Sequence, residues 1–201
     1  MKLSKQQYRT TKRVEKIHRI LSKRQPDLTI VLENVHDPHN VSAVLRSCDA
    51  VGVLSVQLLY YGECEFPDLS KRSSASAKKW VDQRRFSHVK ECYDTLRSEG
   101  YRIFTTALGK DARSIYDVDF TEKVALVFGN EHSGVSQEAL ELSDGNILIP
   151  QVGMIQSLNI SVACAVTLFE AYRQRMKNGM YDAARFNEDE FHLLMDDWSK
   201  R

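Results

Sequence analysis

Two runs of the chain, Leu28–Glu33 (LTIVLE) and Val124–Phe128 (VALVF), are apolar at nearly every position rather than at every second one. A strand of that kind needs cover on both faces, the situation of a central strand in a parallel sheet packed between helices. The surrounding pattern agrees. After the turn His36–Asn40 (HDPHN), the stretch Val41–Val51 puts Val41, Val44, Leu45 and Cys48 on one helical face, and Gly52 ends it. Val53–Tyr60 reads as a strand, Lys71–Trp80 as a short helix and Val89–Ser98 as another helix. Tyr101–Leu108 follows as a strand, Ser136–Leu142 as a short helix and Asn146–Ile149 as a strand. Ser157–Arg175 is a long helix and Glu188–Trp198 a closing one. Strands alternating with helices at this spacing predict an α/β fold, a mostly parallel sheet with helices on both faces and flanking terminal helices.

The ends of the chain differ from its body in charge. Residues 1–24 hold nine Lys/Arg against one acid, Glu15, although the whole 201-residue chain has a formal net charge of only +1. The remainder therefore carries a net of −7. Val14, Ile17 and Leu21 recur at helical spacing with Ile20 beside them, and Pro26 stops the pattern. This predicts an amphipathic helix that docks on the body and turns its cations outward. Two readings fit those cations: a solvated helix face, or a surface for a polyanionic partner. Arg173, Arg175 and Lys177 would add a second cluster. The expected organisation is a basic helix over 1–26, a body over 27–176 and a helical extension over 177–201. No stretch of about 18 apolar residues occurs, so no membrane span is expected. The four cysteines lie far apart without a C-x-x-C pair, which speaks against a zinc site and for a reduced, cytoplasmic chain needing no metal.

Several chemistries are missing from the sequence: G-x-G-x-x-G after the first strand, the P-loop, H-E-x-x-H and G-x-S-x-G. Three polar segments remain, each at the carboxyl end of an expected strand, where open α/β sheets bind ligands. The first, Asn34–Arg46, holds Asn40, a natural helix cap, and Arg46 within the helix. The second, Phe128–Gln137, sets Gly129 and Gly134 around a polar tetrapeptide, suiting either a turn or a close approach to a ligand. The third, Ile149–Ala163, joins a proline, a glycine and the apolar Val152, Met154 and Ile155 to Ser157 and Asn159 at a helix start. Those three apolar residues should be buried, against a ligand or another chain. The helix after them is apolar nearly all round, which suits the core centre or a subunit interface.

Taken in order, N-V-S-A-V-L-R (Asn40–Arg46), F-G-N-E-H-S-G-V-S (Phe128–Ser136) and I-P-Q-V-G-M-I-Q-S-L-N-I-S-V-A (Ile149–Ala163) resemble the three motifs of the SpoU family of RNA 2′-O-ribose methyltransferases. The loop S-S-A-S-A-K-K-W-V (Ser73–Val81) and the basic helices at both ends are most similar to its tRNA (guanosine-18-2′-O)-methyltransferase branch. The resemblance implies a trefoil knot at the C-terminal end of an α/β domain, an obligate homodimer, S-adenosyl-L-methionine as cofactor and tRNA as substrate. It assigns Asn40, Arg46, Glu131, Ser157 and Asn159 to the catalytic set, and Thr106, Gly129, Ile149 and Leu158 to the cofactor. His39 joins Arg9, Arg13, Arg24, Arg173 and Arg175 on the RNA side. Gln151, where an apolar residue is common, and the variable pair Asn130 and His132 depart from the pattern and bear on substrate preference. Arg46 would meet the charge that develops on a ribose hydroxyl, since a guanidinium rarely gives up its proton. The alternatives are 2′-O-methylation of a tRNA wobble position or of rRNA, and a non-catalytic RNA-binding relative that kept the fold. That last relative should have lost Asn40 or Arg46, and both are present.

Overall fold

The computed structural model describes residues 11–67, 77–109, 111–155 and 157–201. Helix α1 (Thr11–Leu21) comes first, then β1 (Leu28–Glu33), α2 (Pro38–Val51), β2 (Ser55–Leu59), β3 (Asp82–Phe86) and α3 (Val89–Ser98). After these come β4 (Arg102–Thr106), β5 (Arg113–Ser114), β6 (Val124–Phe128), α4 (Gln137–Leu142), β7 (Gly145–Leu148), α5 (Ile160–Lys177) and α6 (Glu188–Lys200). The strands form one parallel sheet in the order β3-β2-β1-β6-β4-β7-β5. The two apolar runs are its middle: β1 and β6 pair with Ile30 opposite Leu126, and every residue of both is buried.

Alternate side chains of the central strands supply two cores, as a pleated strand requires. Leu28, Ile30, Leu32 and Leu126 meet α2 and α5 on one face, while Val31, Ile103, Ala125 and Val127 meet α3 and α4 on the other. Strand β3 (DQRRF) was not expected from its sequence. It is polar because it is an edge strand, where charge guards open backbone groups against stray pairing. Residues 71–76 of the expected helix Lys71–Trp80, and Ser73–Ser76 of the loop Ser73–Val81, lie outside the described residues. The remainder, Ala77–Lys79, is a single 3₁₀ turn.

Helix α2 is capped by Asp37 rather than Asn40: Asp37 Oδ1 accepts from the His39 N–H at 2.8 Å, and Pro38 opens the first turn. Asn40 thus sits inside that turn with its amide free for other partners. The amphipathic α1 docks as expected, Ile17 and Leu21 packing against Trp198 of α6. Lys12, Arg13, Lys16 and Arg19 are exposed on it.

Two arginines expected to bind RNA are instead structural. Arg24 is 0% exposed, paired with Asp49, donating to Val53 O at 3.0 Å and lying over the Trp198 ring. Burial lowers its pKa, and Asp49 offsets part of that effect. Arg175 is also 0% exposed and paired with Asp27; its Nε donates to Phe120 O at 2.8 Å and Nη2 to Glu122 O at 2.8 Å. A guanidinium keeps its charge, so inside the protein it needs a carboxylate and carbonyls, and both receive them. Arg175 ties α5 to the entry of β1 and to the chain before β6. Replacing it with alanine leaves Asp27 short of its buried partner, and Arg175→Ala is expected to cost about 3–5 kcal/mol in urea unfolding.

Candidate active site

Strands β1, β6, β4 and β7 are sheet neighbours, or nearly so, and their carboxyl ends open into one another. The chain runs outward from β1 to β3 and then restarts across the sheet at β4, so the sheet changes direction beside β1 and β6. At such a switch point the loops diverge and leave a crevice. Here the crevice is a cavity of about 740 Å³, within the roughly 300–1,000 Å³ of small-molecule sites. Thr106, Gly129, Ile149 and Leu158 all line it, so the four residues assigned to the cofactor meet in one place.

The cavity walls are held by backbone-directed bonds. Thr106 Oγ1 donates to Val127 O at 2.8 Å, and the Asn146 amide bonds both the N–H and the C=O of Ala107, each at 2.9 Å. Residues 130–134 fold back on themselves through paired Asn130–Gly134 backbone bonds of 2.9 Å, and Gly134 takes a positive φ of 71°. A Cβ on Gly129 would lie 2.2 Å from Gly134 C and O, so only glycine lets this loop close against the end of β6.

At the cavity mouth a chain of amides and a carboxylate joins three distant segments. Asn40 Nδ2 donates to Glu131 Oε1 at 2.9 Å, and Asn159 Nδ2 donates to Asn40 Oδ1 at 3.1 Å. The His36 and Asp37 N–H groups add bonds of 3.2 and 3.4 Å to Glu131. Asn159 also caps α5 through the Ser161 N–H at 2.9 Å. Partial burial pushes the Glu131 carboxyl up, but the bonds from Asn40 and from the amides of Glu131, His36 and Asp37 outweigh it and hold it below the usual carboxylate value. Glu131 is therefore a fixed anion and not a proton acceptor poised near neutrality.

Of the catalytic set, Glu131, Ser157 and Asn159 line the cavity and Asn40 is bonded to two of them. Arg46 is not gathered in. It lies further along α2, exposed, and makes no side-chain hydrogen bond or ion pair among the described residues. His39 is exposed beside the mouth. Arg173 is exposed but bonded at two points, both 2.8 Å, to Glu170. Arg9 lies outside the described residues. The loop residues Val152 and Met154, expected to be buried, are 107% and 101% exposed, and Ile155 is 75% exposed. None of them lines the cavity.

The fold and site define a parallel α/β protein with a cavity of small-molecule size at the sheet's carboxyl edge, beside a fixed carboxylate–amide cluster. Residues 27–169 match the SpoU rRNA methylase family, and the chain belongs to that family. It is 47% identical over 193 residues to the tRNA (guanosine(18)-2′-O)-methyltransferase of Thermus thermophilus, covering 96% of this chain and 98% of that one. The crystal structure of the Aquifex aeolicus TrmH/SpoU tRNA modifying enzyme is 36% identical, covers 94% of this chain and 95% of that one, and superposes with a TM-score of 0.88. A SpoU methyltransferase, AviRb from Streptomyces viridochromogenes, solved in complex with the cofactor AdoMet, is 27% identical over 77% of this chain and 59% of its own, with a TM-score of 0.66.

The Glu131 network makes a pH prediction with a definite sign. Its folded pKa is lowered, so its contribution to stability is fully present above the ordinary glutamate value and is lost as pH falls through the lowered folded value. The stability gap between wild type and Glu131→Gln in urea should be open at neutral pH and close in acid. A gap independent of pH would remove the carboxylate charge from the network's role.

Proposed function

We propose that this chain transfers a methyl group from S-adenosyl-L-methionine to the 2′-hydroxyl of guanosine 18 in tRNA. The observation that carries the reading is the meeting of Glu131, Ser157 and Asn159 in one cavity, with Asn40 bonded across its mouth. These residues come from all three motifs that mark the family, and a cluster assembled from three distant segments is what a retained site requires. The preference for tRNA over rRNA rests on extent. The family match stops at residue 169, whereas the Thermus relative named for guanosine 18 is similar over 96% of the chain.

The cavity fits the cofactor. Ile115, Ile147, Ile149 and Leu158 give it an apolar lining, and Gly129 at the end of β6 lines it as well. Those residues and Thr106 would hold the cofactor, which supplies an already activated methyl on a sulfonium. The protein's task is then to place the ribose hydroxyl and to stabilise its developing charge. Asn40 and Asn159, locked to each other, present amide groups at the mouth, and Glu131 fixes Asn40 in that pose. Arg46 is the one unpaired cation of the catalytic set, free to meet the hydroxyl oxygen together with an RNA phosphate. Lys12, Arg13, Lys16 and Arg19, exposed on α1, and His39, exposed at the mouth, are the basic groups this reading offers to phosphate.

The working unit in this proposal is a homodimer built on α5. Val162 and Phe169 are 48% and 52% exposed and Met176 is 46% exposed, a stripe at helical spacing that continues the apolar loop Val152–Ile155. A knot is supported by the strand order. Strand β7 lies between β4 and β5, which are themselves joined directly in sequence, so the chain enters a gap already bridged by its own earlier connection.

Incubating the protein with labelled cofactor and total tRNA, then mapping the product, tests the reading: the label belongs on the ribose of guanosine 18. Arg46→Ala should lower turnover by about 10²–10³-fold with cofactor affinity kept, and Arg46→Lys should restore little, because an ammonium lacks the planar fork. Full activity in Arg46→Ala would take the charge-stabilising role away from this residue. For the assembly, sedimentation of Phe169→Glu should show monomer where wild type at micromolar concentration is dimeric. An active wild-type monomer would refute the dimer.

A further inference from the structure

Beside the active site lies a second depression, of about 560 Å³, at the carboxyl ends of β2 and β3. Its floor is aromatic: Tyr60 and Phe66 stand with ring centroids 5.3 Å apart, and Tyr61 forms a wall. Glu138, in the first turn of α4, stands on its rim, exposed and without a hydrogen bond among the described residues. The neighbouring carboxylate, Glu33, is in contrast fully engaged. It is buried at the end of β1, taking the Tyr61 hydroxyl on one oxygen and the Ser136 N–H at 3.2 Å on the other. Burial and then the bond to Glu33 push the Tyr61 phenol up to about 12, so it stays protonated and its ring stays anchored.

The depression and the active site share a wall. The His36 N–H donates to Glu131 at 3.2 Å, and the same residue's Nε2 lies 3.2 Å from Cys64 Sγ, which lines the depression. Tyr60 donates to Val35 O at 2.8 Å, and the Tyr61 N–H to Asn34 Oδ1 at 3.0 Å, so the floor is bonded to the loop that carries the active-site mouth. Asn34 adopts a positive φ of 49°, a conformation asparagine tolerates, and from there it bonds to both sides: its carbonyl takes Asn130 Nδ2 at 2.8 Å.

We propose that this depression seats the guanine base of the methyl-acceptor nucleotide, with Glu138 accepting hydrogen bonds from its Watson–Crick edge. The inference rests on the methylation reading above and adds how the base is chosen. A base is attached directly to its ribose. With the ribose at the Asn40–Glu131 mouth and the main cavity given to the methyl donor, the base belongs in the adjoining hollow. Protein sites for unstacked RNA bases pair aromatic side chains with polar groups that read base edges. This hollow sets the wall of Tyr61 and the Phe66 ring, which lies under the Arg85 guanidinium, beside the Glu138 carboxylate. Guanine presents two adjacent donors, N1–H and the 2-amino group, which an acceptor-only carboxylate matches. Adenine offers a lone pair at N1, which the carboxylate repels.

The test uses tRNA transcripts carrying guanosine, inosine or adenosine at the acceptor position, assayed for methylation by wild type, Glu138→Ala and Glu138→Gln. Wild type should prefer guanosine over adenosine and lose about tenfold to a hundredfold in kcat/KM on inosine, which lacks the 2-amino group. In Glu138→Ala the inosine penalty should vanish and the guanosine-to-adenosine ratio shrink, with cofactor-product affinity unchanged as a control for folding. Glu138→Gln, which can both donate and accept, should tolerate adenosine better than wild type does. An inosine penalty and a base ratio identical in all three proteins would overturn the base-reading role while leaving the methyltransferase reading intact. A wild type inactive on all three transcripts would overturn both.

Discussion

One carboxylate holds the mouth of the site together. Glu131 receives the Asn40 amide across 91 residues of sequence, and Asn40 in turn receives Asn159 across 119. The three side chains come from the loop after β6, the first turn of α2 and the cap of α5, so fixing them fixes three loops relative to one another. The bonds are charge-assisted at the Glu131 end, which makes them shorter and stronger than neutral pairs and gives the cluster a preferred direction. Each member also serves a local purpose. Asn159 caps α5, and Glu131 accepts the loop amides of His36 and Asp37 that would otherwise seek water. Local structure and site geometry are therefore satisfied by the same atoms.

How much of this was legible in the sequence depends on how local the determining physics is. The central strands β1 and β6 were, because burial on both faces leaves an unbroken apolar run. So was α1, whose apolar stripe and basic face are set by helical period alone. Strand β3 was not, since an edge strand made of Asp82, Gln83, Arg84 and Arg85 has no periodic apolar signal, and β5 is too short to carry one. The α2 cap lies three residues before Asn40: Asp37 and Asn40 are both good caps, and what decides between them is Pro38, which takes the first helical position. Asn40 is then released to the site.

The arginines show the sharper limit. Nothing local separates Arg24 from Arg19, or Arg175 from Arg173, yet one of each pair is sealed inside and the other is exposed. The difference lies in partners far along the chain: Asp49 and Trp198 for Arg24, Asp27 and the carbonyls of Phe120 and Glu122 for Arg175. A composition argument counts both kinds as available charge. In the fold, Arg24 is spent inside the protein, and among the described residues the exposed basic side chains of the N-terminal region that remain stand mainly on α1.

The exposed apolar stripe of α5 and the unpaired Arg46 belong to one layer of the molecule, because α2 and α5 pack together on the same face of the sheet. In the single chain the stripe is exposed, and Arg46, unpaired among the described residues, stands outside the cluster to which its motif assigns it. A second copy seated on α5 would cover the stripe and lower the local dielectric around anything at its edge, strengthening the field of a nearby guanidinium. Assembly would then be a condition of catalysis and not only of stability. Under that proposed arrangement Asn40, Glu131 and Asn159, already bonded to one another in the single chain, would be joined by the Arg46 charge only once the interface closed.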